Sequence, residues 1–518
     1  MKDVGRVATV ARFAAVLMSL LPAAETARAI EAEEQDEKVE QLIVKLREPH
    51  MTRVATATAT ASASASAPDR LAGQTAEALL EHIVAQAWQP SSRVEADARP
   101  RVRRAAQVTR FTRAMSGDAH VVGLAKPLTA DEARALAGRI QAQPEVEYAE
   151  PDYRVERQIE PTDPRYGVQW GLQGGGPRGN WPPGGARLPA AWDITTGSTN
   201  IVTAVIDTGY RPHVDLAANV LPGYDFISDR ERANDGDGRD ADAADPGDWT
   251  TEAETLACYG SSQFRASSWH GTHVMGTIGA LASNGRGGAG VNWHGKLLPV
   301  RVLGKCGGQS SDIADAIRWA AGLAVPGAPV NQHPARVINM SLGSQGSCDR
   351  TKQSAIDDAI ARGAIVVASA GNSNREVGQP ANCAGVIAVS AVDMNGNRAW
   401  FSNYGARADI GAPGVDILST VDEGATVPTR DGYERYNGTS MAAPHVAGVA
   451  SLMLAVDPTL TPEQLRTTLL ASTRPYAEGS TCAPNADGTV CGAGTLDAER
   501  ALEAVRADAA NKRGAGAS

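Results

Sequence analysis

Residues 200–505 repeat one pattern of hydrophobic and polar positions. A short apolar run rich in β-branched residues is followed by a glycine-containing turn and then by a stretch with helical spacing. The alternation predicts a parallel sheet with helices on both faces, in which the apolar runs are buried strands. The clearest predicted strands are residues 200–207, 296–303 and 364–369, and the clearest predicted helices are residues 313–323 and 353–362.

Residues 30–157 have a different pattern, with three short strand-like runs separated by two helical stretches. Thr129 is a predicted helix cap with two acidic residues in the following turn, and Pro144 ends that helix. The β-α-β-α-β order predicts a small ferredoxin-like α+β unit. The predicted strands are residues 41–46, 119–124 and 146–150, the helices are residues 71–88 and 129–143, and the Thr/Ala/Ser-rich residues 52–68 are a predicted flexible loop.

The first 29 residues have the layout of a secretory signal peptide. Basic residues precede an apolar stretch over residues 13–21, and Ala27-Arg28-Ala29 supplies an A-x-A cleavage site; cleavage after Ala24 is an alternative. The apolar stretch is short for a membrane span, and we find no other run long and apolar enough to be one. We therefore expect export to the periplasm or the medium, and a mature protein without a membrane anchor.

Length and charge narrow the classes of protein further. The chain has 518 residues, 42% of them hydrophobic, and a formal net charge of −10. This length predicts two or three domains. No dense basic stripe is present, so we expect no nucleic-acid partner, and we expect a monomer. Residues 158–190 are rich in Gly and Pro and predict an extended arm, and residues 507–518 are a predicted disordered tail.

Three stretches carry candidate chemistry. Asp207 ends a buried strand, at the edge of a parallel sheet where α/β sites are built. His270 opens a helical run of small residues. Ser440 follows Gly438 and Thr439 and begins an apolar run, which predicts a serine at the positive end of a buried helix. Taken alone, Ser440 could equally be an ordinary helix N-cap.

The order acid, histidine, serine is the order of the triad in subtilisin. Together with residues 363–372 and 337–344, the three stretches resemble the signature blocks of the subtilisin-like serine proteases, the subtilases. The resemblance implies a three-layer α/β fold and an Asp207–His270–Ser440 triad, with the Asn372 amide donating to the oxyanion. It also implies that protein or peptide substrates are cleaved, and that residues 30–157 are a propeptide that assists folding and then inhibits the catalytic domain, residues 158–506. The implied substrate-binding residues are Ser341, Leu342 and Gly343 on one segment, Gly307 and Gly308 on the opposite one, and Ala370 and Gly371 beside them.

The small side chains of these segments leave room for a sizeable substrate side chain before the scissile bond, and no acid clearly lies at the pocket base. We therefore expect a broad, apolar or aromatic preference. The mature N-terminus is expected between Tyr153 and Asp163.

The same residues allow other functions, namely an aspartic protease, a sedolisin-type relative, a zinc site or an inactive binding protein. Asp207-Thr208-Gly209 is also the triplet of aspartic proteases, but that chemistry needs a second such aspartate and none is found. Sedolisin-type relatives carry a glutamate in place of His270 and an aspartate in place of Asn372. His270 and His273 could be read as a zinc pair, but there is no H-E-x-x-H and no third ligand is evident. His273 and His445 are expected to be structural, because histidines on a helix next to a motif are more often packed than reactive. An inactive, substrate-binding relative stays an alternative that activity measurements exclude or support.

An acidic, glycine-rich loop spans residues 234–248. Ca²⁺ prefers six to eight oxygen ligands from flexible loops, and subtilases commonly bind structural Ca²⁺. The loop is not an EF-hand, because Pro246 falls where the bidentate glutamate would be. We expect a structural calcium site here, with a solvated surface loop as the alternative. The candidate ligands are Asp235, Asp237, Asp240 and Asp242.

The six cysteines form no C-x-x-C pair, which argues against zinc and thioredoxin-type chemistry. Six cysteines allow 15 pairings. An exported protein is expected to form disulfides, and we expect pairing between sequence neighbours, with free buried thiols as the alternative. The expected disulfides are Cys258–Cys306, Cys348–Cys383 and Cys482–Cys491.

Overall fold

The structure, a computed structural model, describes residues 39–47, 76–87, 110–153, 159–174, 182–483 and 490–515. The expected signal peptide and the Thr/Ala/Ser-rich loop, residues 52–68, lie outside these residues. The chain divides into two compact units, Met1–Glu156 and Arg157–Ser518. The division lies next to the expected boundary at residue 157, and each unit is described by itself.

In its described residues, the first unit is an antiparallel four-stranded sheet with two α-helices, and the strand order is β2-β3-β1-β4. This βαββαβ arrangement is ferredoxin-like, as expected. Among the described side chains, its core residues come from β1, α1, β3, α2 and β4. Strand β2 lies at the edge of the sheet, and residues 112–114 in it are exposed. The sequence does not predict this strand, because it lacks apolar alternation. The elements are β1 (Val39–Leu46), α1 (Ala76–Ala87), β2 (Arg110–Ala114), β3 (Ala119–Leu128), α2 (Ala130–Gln141) and β4 (Val146–Pro151).

Helix α2 begins at the predicted cap. The Thr129 hydroxyl accepts a hydrogen bond from the Glu132 N–H (3.3 Å), and the Glu132 carboxylate accepts one from the Thr129 N–H (3.1 Å). This reciprocal capping box satisfies donors that have no partner inside the helix. It explains why a threonine followed three residues later by a glutamate marks the start of this helix.

The second unit contains the remaining elements. In chain order they are α3 (Leu188–Ile194), β5 (Val202–Asp207), β6 (Tyr224–Asp225), α4 (Arg230–Ala233), α5 (Glu252–Tyr259), α6 (His270–Gly279), β7 (Lys296–Arg301), α7 (Ser310–Ala320), β8 (Val337–Met340), α8 (Arg350–Ala361), β9 (Ile365–Ser369), β10 (Ile387–Val392), β11 (Ile410–Pro413), β12 (Ile417–Asp422), β13 (Asp431–Tyr436), α9 (Thr439–Val456), α10 (Pro462–Ala471) and α11 (Ala498–Ala515).

A parallel seven-stranded sheet, ordered β11-β10-β9-β8-β5-β7-β6, forms the centre of this unit. One face packs against α3, α6, α9 and α11, and the other against α7 and α8. The three-layer α/β architecture expected from the hydrophobic pattern is therefore confirmed. The strand order reverses at β5, between β7 and β8, and such a switch point opens a crevice at the carboxyl ends of the strands.

Two expectations about the helices were wrong. By length and composition α9 is apolar enough to cross a membrane, although we expected no such run; 83% of it is buried inside the unit, as befits a core helix. The tail expected to be disordered after Arg506 is helical as far as Ala515, and the Lys512 ammonium donates to the Asp457 carboxylate over 3.0 Å. The last part of α11 has no apolar stripe, so its sequence gives no periodic signal of a helix. It is nevertheless helical, because alanine favours helices even without such a stripe.

Candidate active site

Asp207 and His270 meet at the carboxyl end of β5. The Asp207 side chain is fully buried, and its Oδ1 accepts hydrogen bonds from His270 Nδ1 and from the Thr208 N–H, both over 2.7 Å. The His270 side chain is 22% exposed. The carboxylate thereby selects the tautomer that carries hydrogen on Nδ1 and leaves Nε2 free to accept a proton.

The start of α6 is held close to the end of β5. Trp269, the residue before the helix, has φ +46° and donates its indole N–H to the Gly424 carbonyl over 2.7 Å. A Cβ on Gly271 would lie only 2.1 Å from the Gly209 carbonyl oxygen. Only glycine permits this approach, so the Gly after His270 is a requirement of the geometry.

Two further carboxylates support the pair, although sequence reasoning had assigned them to the acidic loop. The Thr208 hydroxyl donates to Asp245 over 2.7 Å and accepts the Gly271 N–H over 3.0 Å, which links β5, the loop and α6. Asp248 accepts both the N–H (2.6 Å) and the hydroxyl (2.8 Å) of Ser268. The positions of Asp245 and Asp248 in the sequence do not indicate that these carboxylates contact the segments that carry Asp207 and His270.

Charge at the pair favours a protonated imidazole. Burial alone would lower the pKa of His270, but the carboxylate of Asp207, helped by those of Asp248 and Asp245, raises the pKa above its ordinary value. Burial, together with Asp248, raises the pKa of Asp245 to about 7. The carboxylates thus stabilise the protonated imidazole of His270 relative to the neutral one.

Ser440 lies in the first turn of α9 and is 9% exposed. Its hydroxyl donates to the Ser341 carbonyl over 3.1 Å, and the Ser341 hydroxyl donates to the Ser440 carbonyl over 2.7 Å. In this conformation the Ser440 hydroxyl is engaged by Ser341 and not by His270. Catalytic hydrogen bonds are often loose in the absence of substrate, so this conformation does not disqualify the serine as a nucleophile.

Asn372 follows β9 and faces the start of α9. Its Oδ1 accepts hydrogen bonds from the Thr439 N–H (2.9 Å) and the Thr439 hydroxyl (2.8 Å). Because both bonds engage the oxygen end of the amide, the Nδ2 group is left as a donor. Thr439 was not singled out from the sequence, although it directly precedes Ser440.

A cavity of about 510 Å³ is lined by His270 and by most of the expected substrate-binding residues, but Ser440 and Asn372 are not among its lining residues. Ser341, Leu342 and Gly343 line it together with His270, and Gly307 and Gly308 line it as well. The expected residues Ala370 and Gly371 are not among its lining residues. Ala370 is buried, and the Gly371 N–H donates to the Thr439 hydroxyl over 3.1 Å.

The two other motif histidines are packed in the core. His273 Nε2 lies 3.0 Å from the Ile417 carbonyl oxygen, and its ring stacks on Tyr436 with centroids 4.3 Å apart. Burial lowers the pKa of His273 to about 3 and that of His445 to about 4. Both imidazoles are therefore neutral at physiological pH, which fits the structural role expected for them.

The acidic loop does not present a ready-made metal site. Asp235 pairs with Arg301 over 2.6 Å, and it also accepts the Asp237 N–H. Asp240 and Asp242 each accept a backbone N–H within the loop. Within the described part of the chain, no three Asp, Glu, His or Cys side chains converge as a metal would need. Calcium binding by this loop therefore stays a prediction.

All six cysteines lie in described segments and are paired, in the expected sequence-neighbour pattern. Cys258–Cys306 ties α5 to the segment that carries Gly307 and Gly308, so one crosslink lies at the cavity wall. The other two disulfides are Cys348–Cys383 and Cys482–Cys491.

A buried aspartate bonded to a histidine, with a serine at a helix start beside the same crevice, is the arrangement of a serine hydrolase. Comparison with known proteins narrows this class. Residues 198–499 match the subtilase family, peptidase S8. The chain belongs to this family of subtilisin-type serine endopeptidases, as the sequence motifs predicted.

Two relatives carry names that describe proteases. An "Extracellular protease" of Xanthomonas campestris pv. campestris is 48% identical over 377 residues, which cover 72% of this chain and 62% of the relative. An "Extracellular basic protease" of Dichelobacter nodosus is 41% identical over 411 residues, covering 77% of this chain and 65% of the relative. The matched stretch thus spans less than two thirds of each relative.

A solved structure is also similar. It is titled as a protease from Pseudoalteromonas arctica and is 48% identical, with a TM-score of 0.62, over 67% of this chain and 99% of that chain. The likeness therefore extends over nearly the whole of that chain.

Proposed function

We propose that this chain is a secreted serine endopeptidase that hydrolyses peptide bonds in proteins through an acyl-enzyme at Ser440. The observation that carries the proposal is the 2.7 Å hydrogen bond from His270 Nδ1 to the buried Asp207 carboxylate, at a cavity whose lining residue Ser341 accepts a hydrogen bond from the Ser440 hydroxyl. A solvent-excluded aspartate on one nitrogen of an imidazole, with the other nitrogen free, is the arrangement of a general base.

The proposed reaction assigns one task to each group. The Ser440 hydroxyl leaves the Ser341 carbonyl and donates to His270 Nε2 when substrate binds. As Ser440 Oγ attacks the scissile carbonyl carbon, His270 takes its proton, and Asp207 stabilises the resulting imidazolium. His270 then protonates the leaving amine, and water completes hydrolysis of the ester through the same base.

The oxyanion of the tetrahedral intermediate is proposed to lie between Asn372 Nδ2 and the Ser440 N–H. The amide is oriented in advance by its two hydrogen bonds from Thr439. The Ser440 N–H belongs to the first turn of α9, where backbone donors have no partner inside the helix. Donors fixed before charge develops cost no reorganisation during the reaction.

The first unit is proposed to be a propeptide that inhibits the catalytic unit until it is removed. Two observations support this. The unit forms its own compact ferredoxin-like fold, and the division from the second unit falls between Glu156 and Arg157, near the expected junction. Removal is expected between Tyr153 and Asp163.

Export is proposed from the expected signal peptide, from the three disulfides and from relatives named extracellular proteases. A monomeric mature enzyme, a broad apolar or aromatic preference before the scissile bond and a structural calcium ion complete the proposal.

The test compares three exported full-length proteins: wild type, Ser440→Ala and the control Ser261→Ala, which changes an exposed serine. We expect wild type and the control to lose the N-terminal unit, seen by mass spectrometry, and to digest casein. Ser440→Ala should retain the unit and digest nothing. Equal processing of all three, without casein digestion by any, would refute the proposal.

A further inference from the structure

Lys352, Ser310 and Gln379 line one part of the cavity, and the cation there is the buried ammonium of Lys352. The Lys352 side chain is 4% exposed. Its ammonium donates to the Asp349 carboxylate (2.6 Å), the Ser310 hydroxyl (2.8 Å) and the Gln379 side-chain oxygen (3.2 Å). A buried lysine is uncommon unless it is paired. Here the ammonium binds Asp349 on its own segment and joins it to Ser310 and Gln379, which line the cavity from two other segments.

These hydrogen bonds determine whether Ser310 and Gln379 can donate or accept a further hydrogen bond. The Ser310 oxygen accepts from Lys352, so its own O–H remains available to donate. The Gln379 oxygen accepts from both Lys352 and the Asp349 N–H, the latter over 3.2 Å, so its NH₂ group is the free end. Neither free donor has a partner among the described residues. The cation thereby turns both neighbours into hydrogen-bond donors.

The charges of Lys352 and Asp349 also favour a ligand that accepts hydrogen bonds. Asp349 is held ionised, because the hydrogen bond from Lys352 lowers its pKa, but its side chain is 38% exposed and is better screened by water than the nearly buried ammonium. Asp349 is also engaged at the start of α8, where it accepts the Lys352 N–H over 2.8 Å. The groups left to meet a ligand are donors beside a cation.

We propose that this part of the cavity is a subsite for an acidic side chain of the substrate peptide. A carboxylate can accept from the Ser310 hydroxyl and the Gln379 NH₂ group while lying near the Lys352 ammonium. An amide of the same shape accepts the same bonds without the charge, and an apolar or basic side chain leaves the donors unpaired, which costs affinity. The inference rests on the proposed peptidase function, since it assigns selectivity to the same cleft.

The test uses fluorogenic peptides that carry Glu, Gln, Leu or Lys at one position at a time, over four positions on each side of the scissile bond. At one position the wild-type kcat/KM is expected to be about 10-fold or more higher with Glu than with Leu, with Gln between them. Lys352→Met keeps most of the side-chain volume but removes the ammonium, and should abolish the preference for Glu over Gln. Ser310→Ala should weaken the preference for Glu and Gln over Leu. Lys296→Met, which removes an ammonium bonded to the Ala218 carbonyl away from the cavity, should retain the wild-type profile.

A short substrate with too few residues to reach this part of the cavity serves as the reference for catalysis. Its hydrolysis should be unchanged in Lys296→Met. Ser310→Ala carries the test of the preference if Lys352→Met does not fold. A wild-type profile without preference for Glu at any position, or a preference that persists in both variants, would overturn the inference. If wild type cleaves no peptide at all, the proposed function fails, and binding of the Glu and Leu peptides to Ser440→Ala by fluorescence anisotropy still decides the subsite.

Discussion

Thr439→Val tests whether Thr439 prepares the oxyanion donor. The Thr439 hydroxyl accepts from the Gly371 N–H (3.1 Å) and donates to Asn372 Oδ1 (2.8 Å), while the Thr439 N–H donates to the same oxygen (2.9 Å). Valine has nearly the same shape as threonine. The substitution therefore removes one of the two bonds that orient the amide and keeps the bond from the backbone.

The size of the effect follows from the bond that is lost. A hydrogen bond of this kind contributes about 0.5–1.5 kcal/mol, so kcat should fall by roughly 2- to 13-fold. KM should change little, because the oxyanion exists only in the transition state. Asn372→Ala should cost far more, about 10²- to 10³-fold, which is the cost of losing the corresponding amide in subtilisin.

The assay is a double-mutant cycle on kcat with one peptide substrate. If Thr439 acts through Asn372, the double variant should be no slower than Asn372→Ala alone, since the amide to be oriented is absent. Thermal unfolding of each variant controls for the Gly371 N–H that loses its acceptor. Losses that multiply in the double variant, or a Thr439→Val effect confined to KM, would refute the reasoning.

Three further predictions concern charge, crosslinks and metal. Asp248→Asn removes a negative charge that raises the pKa of His270, so the acidic limb of the kcat/KM profile, which reports formation of the neutral base, should move to lower pH; an unchanged limb would contradict this. Replacing Cys482 and Cys491 by serine in an inactive background should lower the free energy of unfolding by about 2–3 kcal/mol, as a loop of 9 residues predicts, and denaturant unfolding that shows no loss would contradict the chain-entropy argument. If the acidic loop rearranges to bind calcium, EDTA should lower the Tm and added Ca²⁺ should restore it, whereas an unchanged Tm would count against the site.

The strands and the motif residues could be read from the sequence because their signals are local. The apolar run before Asp207 predicts a buried strand. The alternation of strands and helices predicts a parallel sheet, so the carboxyl end of this strand is expected at the sheet edge where α/β sites are built. Thr129 and Glu132 mark a helix start by their spacing alone. Strand β2 is not predicted because its sequence lacks the apolar alternation of a half-buried strand.

The supporting contacts could not be read in this way, because they join residues distant in the chain. Asp245 and Asp248 belong by composition to an acidic loop, yet they meet Thr208 and Ser268 beside the active-site pair. Nothing near Lys352 in the sequence indicates that its ammonium reaches Ser310 and Gln379. The orientation of the Ser440 hydroxyl is likewise a property of packing.

The most direct test of the central claim is labelling of the mature protein with a fluorophosphonate, followed by peptide mapping. One adduct per molecule is expected, on Ser440, that forms in step with the loss of peptidase activity and is absent from His270→Ala. An adduct on another residue, or peptide hydrolysis that persists in a folded Ser440→Ala protein, would rule out Ser440 as the nucleophile.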